Sequence, residues 1–195
     1  MRFIVLLLLV GWSSADAGSP ANWSASYPPC NRHSELLRHG HMDLGVRLAT
    51  ANQVLAEQFR HAMDTWASII DLDWHEDNSK SCSIQLIDGE RELFHPAAVA
   101  ARSQLPDRRL FDGWIAFNPT QTLSATELYQ LSLHEIGHVL GLQHSSNAMS
   151  VMYGFNLDDQ EWLYPKDLAA LAKHHKLRIA IPDKPVNLTW TRAQN

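Results

Sequence analysis

HEIGHVLGLQH, residues His134 to His144, puts three histidines and one glutamate into eleven residues that are otherwise apolar, Gly or Gln. His134 and His138 are four residues apart, so on a helix they project from one face, one turn apart. That spacing suits two imidazoles on one ion. Glu135 lies beside them on the same side but angled away, placed to poise a water without being a ligand itself. Gly141 ends the helix where a residue of positive φ is wanted. The chain can then turn back and bring His144 to a third position. Three neutral imidazoles with a fourth position open describe a catalytic zinc site, because a structural site would be closed by a fourth protein ligand. Any one of these histidines alone would read as a helix-end side chain satisfied by carbonyls and solvent. Random placement would give the joint pattern His-Glu-x-x-His-x-x-Gly-x-x-His on the order of once in ten thousand such chains.

Outward from this stretch, Ser124 opens an S-x-x-E capping box with Glu127, predicting a helix from about Ala125 to Gly141. Upstream, DLGVRLAT (Asp43 to Thr50) alternates as a strand, and Thr50 opens a T-x-x-Q box with Gln53. Leu55, Phe59, Ala62, Met63, Trp66, Ile69 and Ile70 then recur at helical spacing, giving a helix with a core face and no chemistry. IDLDW (Ile70 to Trp74), CSIQLID (Cys82 to Asp88) and GWIAFN (Gly113 to Asn118) read as further strands. A last helix starts at Pro165, a favoured first helical position, and carries Leu168 and Leu171, with Leu177 beyond them. After Leu177 no element is assigned. One strand, a helix, several strands and two helices indicate an α+β domain rather than a doubly wound sheet.

The 195 residues carry 45% hydrophobic side chains and a net charge of −5, with no Lys/Arg-rich run, so nucleic-acid binding has no electrostatic support. Arg2, the apolar FIVLLLLV (Phe3 to Val10) and Ala15-Asp16-Ala17 read as an export signal. The apolar run is far short of the roughly 20 residues that span a bilayer. The expected organisation is a signal peptide over 1–17, a short N-terminal segment over 18–41, a catalytic domain over 42–177 and a tail over 178–195. The product would be secreted, extracellular or, in a bacterium, periplasmic. In an oxidising compartment Cys30 and Cys82 would pair, closing a loop worth about 4 kcal/mol in the chain-entropy account. The competing reading leaves a Cys30 thiolate to cap a metal. Asn22-Trp23-Ser24 and Asn187-Leu188-Thr189 are glycosylation sequons.

The motif His134-Glu135-x-x-His138-x-x-Gly141-x-x-His144 resembles that of the metzincin metallopeptidases. That family carries a downstream turn whose methionine lies beneath the histidines. Met152, in SVMY (Ser150 to Tyr153), is the candidate. Ser145 directly after the third histidine and the Met-Tyr pair resemble the matrixin branch; astacins carry Glu at the first of these positions. The resemblance covers about residues 42–177. It implies an α+β catalytic domain with a twisted mixed β-sheet, three helices and a zinc cleft, and a metalloendopeptidase with one catalytic Zn2+ on His134, His138 and His144 and Glu135 as general base and acid. Partners would be a protein or peptide substrate, laid along an edge strand near residues 98–104, and the chain would act as a monomer. The alternative is a secreted zinc-containing binding protein that has lost activity, against which the intact Glu135 stands.

The departures from the family also carry expectations. The matrixin ligand for a structural zinc aligns with Ala116, and no His-x-Asp pair lies upstream, so no structural zinc is expected and His75 and His95 are ordinary polar residues. A calcium site is conceivable at Asp88, Gly89, Asp112 or Gly113, although the family's Gly/Asp-rich loop is missing. Gly154-Phe155-Asn156 stands where the family often has Pro-x-Tyr in the specificity-pocket wall. The family's latency motif P-R-C-G is replaced by YPPCNRH around Cys30.

Overall fold

Alternating burial along Ser83–Asp88, with Ile84 and Leu86 inside, starts a sheet whose central strands are apolar on their covered positions. A computed structural model of the chain describes residues 42–76, 83–89, 100–104, 112–154, 162–175, 177 and 179–188. Strands β1 (Met42–Ala49), β2 (Leu72–His75), β3 (Ser83–Asp88), β4 (Ala100–Gln104) and β5 (Asp112–Phe117) form one sheet in the order β2-β1-β3-β5-β4. All neighbours are parallel except β4, which runs antiparallel to β5 at the sheet edge. The parallel strands need long returns, and helix α1 (Gln53–Ile69) supplies the one between β1 and β2. With α2 (Ala125–Val139) and α3 (Pro165–His175) this is the α+β class expected from the element order and the mixed-sheet, three-helix architecture that the resemblance implies.

The core lies where α1 meets α2 and the sheet. Phe59, Met63 and Trp66 of α1 are fully buried, and the Trp66 indole N–H donates to the Leu133 carbonyl at 3.1 Å. That bond fixes α2 immediately before His134. The Ser124–Glu127 capping box is present in both directions: Ser124 Oγ accepts from Glu127 N at 3.2 Å, and Glu127 Oε2 accepts from Ser124 N at 2.7 Å. These bonds hold the Glu127 carboxyl below its usual range.

The capping residue of α1 needs correction. Asn52, not Thr50, is the N-cap, its Oδ1 accepting from Leu55 N at 3.1 Å. Register Ala49↔Ile87 sets Asp88 beside the end of β1. There it takes the Thr50 hydroxyl and, at 2.9 Å, the Ala51 N–H. A partner from another strand thus outcompetes the local box. The calcium candidates are likewise dispersed. Asp88 pairs with Phe117 while Asp112 pairs with Ser83, so Asp88–Gly89 and Asp112–Gly113 sit at opposite ends of β3 and β5, roughly 16 Å apart at strand rise. The four do not make one site.

Past α3, Leu177 is buried, and a stretch without a sequence assignment returns to the domain. Val186–Asn187 (β7) pairs antiparallel with Trp162–Leu163 (β6), and Leu188 is buried. No helix among the described residues is long and apolar enough to cross a membrane. Cys30, Cys82 and His95 lie outside the described residues.

Candidate metal centre

The last turn of α2 is built by backbone geometry that the histidines then exploit. Gly141 has φ 108°, Gly141 N donates to His138 O at 2.9 Å, and Leu142 N donates to Gly137 O at 2.9 Å. This pair of bonds is the Schellman closure, which needs a positive φ and so a glycine. It also aims the Leu142 carbonyl back at the helix, where it accepts from His138 Nδ1 at 2.8 Å. His134 Nδ1 donates in the same way to the Val151 carbonyl at 2.7 Å. A carbonyl can only accept, so Nδ1 is the donor on both rings and Nε2 is the nitrogen whose lone pair a neutral imidazole offers to a metal.

Those lone pairs converge. His134 Nε2 lies 3.0 Å from His138 Nε2 and 3.3 Å from His144 Nε2, and ligand atoms of all three rings fall within 4.8 Å of one another. His134 and His138 are buried and His144 is exposed, so the cluster opens to solvent on one side. Zinc–nitrogen bonds of about 2.0–2.1 Å in a tetrahedron put ligand nitrogens about 3.3–3.4 Å apart. The His134–His138 and His134–His144 separations lie close to that requirement.

Glu135 follows His134 directly on α2 and is only 5% exposed. Met152 is fully buried beneath α2. A Cβ placed on Gly137 would meet Met152 Sδ at 2.5 Å and the Trp66 ring at 3.2 Å. The thioether therefore sits against bare helix backbone between His134 and His138. After His144, Ser145 N donates to Met152 O at 2.7 Å, tying the third histidine's strand to the same turn. The His144 ring lies over Gly154, whose Cβ would meet three ring atoms at 3.2 Å.

The three histidines picked from the sequence thus gather in one place, and Met152 packs against the helix that carries two of them. Sequence reasoning missed the Val151 and Leu142 carbonyls, Gly137, Gly154 and Trp66. Gly137 carried a readable signal, since glycine in a helix interior costs about 1 kcal/mol and is kept for a reason such as close approach. Gly154 was noted only as a departure in a pocket wall.

A helix-borne histidine pair, a third histidine beyond a glycine turn and no fourth His, Cys, Asp or Glu ligand grouped with them among the described residues match the class of catalytic rather than structural zinc centres. The chain belongs to the matrixin family, whose profile matches residues 46–174. It is 25% identical over 141 residues to Matrix metalloproteinase-A of Caenorhabditis elegans, covering 66% of this chain and 27% of that protein. Over 80 residues it is 60% identical to a putative matrix metalloproteinase of Spodoptera frugiperda ascovirus 1a, covering 34% of this chain and 21% of the relative. Stromelysin-3 of Xenopus laevis is 47% identical over 49 residues, 25% of this chain and 9% of that one. The chain therefore spans about a quarter or less of these curated relatives' lengths. Matrixins are zinc metallopeptidases acting on proteins and are generally extracellular.

Proposed function

We propose that this protein is a secreted zinc metalloendopeptidase, with His134, His138 and His144 holding one catalytic zinc and Glu135 as general base. The observation carrying this reading is the convergence of the Nε2 atoms while Val151 and Leu142 hold two Nδ1–H groups outward. When bound, zinc supplies Lewis-acid polarisation of the scissile carbonyl and lowers the pKa of a water to about 7.

The chain's own residues do the rest. Glu135 takes a proton from the attacking water as its oxygen bonds to the carbonyl carbon. It then returns that proton to the amide nitrogen as the C–N bond breaks. The fixed imidazoles cost no reorganisation during this step. An extended substrate adds to the outer edge of β4, the last strand of the sheet among the described residues, which runs beside α2, through main-chain hydrogen bonds. The N-terminal segment 1–17 acts as the export signal, and Cys30 and Cys82 pair in the exported protein.

A mixed peptide library, incubated with and without a zinc chelator, tests the reading. Chelator-sensitive cuts within peptides are expected, together with their loss in Glu135→Ala. Cleavage that survives Glu135→Ala would overturn the assignment of the base. Zinc binding with no cleavage of any peptide would favour the inactive binding protein instead.

A further inference from the structure

Residues 179–188 lie beyond the family-matched region, which ends at 174. They nonetheless meet two elements that position His134. On one side β7 pairs with β6, Trp162 against Asn187 and Leu163 against Val186. Strand β6 in turn holds the methionine turn: Val151 N donates to Trp162 O at 2.9 Å and Trp162 N to Met149 O at 3.2 Å. The Val151 carbonyl is the acceptor for His134 Nδ1. On the other side, the Leu188 side chain is buried, and its carbonyl accepts from the Tyr129 hydroxyl at 2.9 Å. Tyr129 stands on α2 five residues before His134, and its oxygen also meets Thr65 Oγ1 of α1 at 2.8 Å. Burial pushes the phenol above its usual range, so it stays protonated and able to donate.

We propose that the segment 179–188 is a C-terminal clamp that fixes the metal centre by gripping α2 through Tyr129 and the methionine turn through β6. Tyr129 and Leu188 are then positioning residues for His134. Removing them loosens the acceptor of His134 Nδ1 relative to the helix that carries the ring. Direct hydrogen-bond partners of a ligating histidine typically change metal affinity by about 10–100-fold when lost, and Tyr129 and Leu188 act on such a partner from further out, with a smaller effect. The inference rests on zinc binding at the histidines.

The test uses the full chain and zinc dissociation constants from chelator competition, well below the unfolding transition. Wild type is compared with Tyr129→Phe, Leu188→Ala and a control, Ile84→Val, which trims the sheet core on β3. Unfolding midpoints are measured on the same samples, and the tail variants are judged against the control per degree of lost stability. Tyr129→Phe and Leu188→Ala are expected to weaken zinc binding several-fold, less than loss of a direct partner would, while Ile84→Val leaves it unchanged. Tyr129→Phe keeps the ring and deletes only the hydroxyl, so it retains the fold if Leu188→Ala does not. Unchanged zinc affinity in Tyr129→Phe, or an equal loss in Ile84→Val, overturns the clamp while leaving the zinc site standing. A wild-type chain that binds no zinc overturns both.

Discussion

Gly137→Ala sets two known effects against each other at one methyl group. On an ordinary helix position the change would stabilise by about 1 kcal/mol, through propensity alone. Here the new carbon meets Met152 Sδ at 2.5 Å and the Trp66 ring at 3.2 Å. Neither side chain can swing into solvent, because both are fully buried and the Trp66 indole is bonded to the Leu133 carbonyl. Overpacking of a filled core costs about 1–3 kcal/mol, and the shortness of the sulfur contact puts this site near the upper end. The net expectation is a loss of about 2 kcal/mol, or about 4–8 °C in Tm for a chain of this size. Urea unfolding with zinc in fixed excess measures it, since a ligand held only by the folded state adds its own stability. A midpoint that falls with an unchanged m value is the expected result. A variant more stable than wild type by about 1 kcal/mol would refute the close approach of Met152 to the helix.

Other expectations are simpler to state. Gly154→Ala presses on the His144 ring at 3.2 Å, and that exposed ring can yield. Stability should change by less than about 0.5 kcal/mol, while chelator competition shows zinc held several-fold more weakly; unchanged affinity would mean the ring is not seated on this glycine. Asp167, in the first turn of α3, has one buried carboxyl oxygen with no partner among the described residues, and burial raises its pKa despite Lys166 and the Tyr164 backbone N–H. With the folded pKa raised, the cost is absent below the ordinary carboxylate range and present above the folded pKa. Asp167→Asn should therefore stabilise by about 1 kcal/mol near pH 7, after discounting for its partial exposure. Denaturant midpoints should converge as the pH falls below about 4; a gain that is constant with pH would contradict the titration.

What could be read from the sequence was local. The histidine spacing, the Ser124–Glu127 box and the positive-φ need at Gly141 each depend on residues within one helical turn, and all three are present in the fold. Thr50 misled because its hydroxyl is taken by Asp88, 38 residues away, which no local pattern encodes. The acceptors that set the imidazole tautomers are backbone carbonyls of Val151 and Leu142, and a carbonyl has no letter of its own. Strand β7 is two residues long, too short for any alternation to show. Its place follows from Leu188 reaching the core and Tyr129, contacts formed only once α1 and α2 have come together.

The central claim is that His134, His138 and His144 together hold a single zinc. Metal analysis after zinc loading and gel filtration tests it most directly, comparing wild type with Glu135→Ala and His138→Ala and checking each fold by circular dichroism. The account predicts one zinc per chain in wild type and in Glu135→Ala, and none in a folded His138→Ala. A full equivalent of zinc retained by His138→Ala would contradict it.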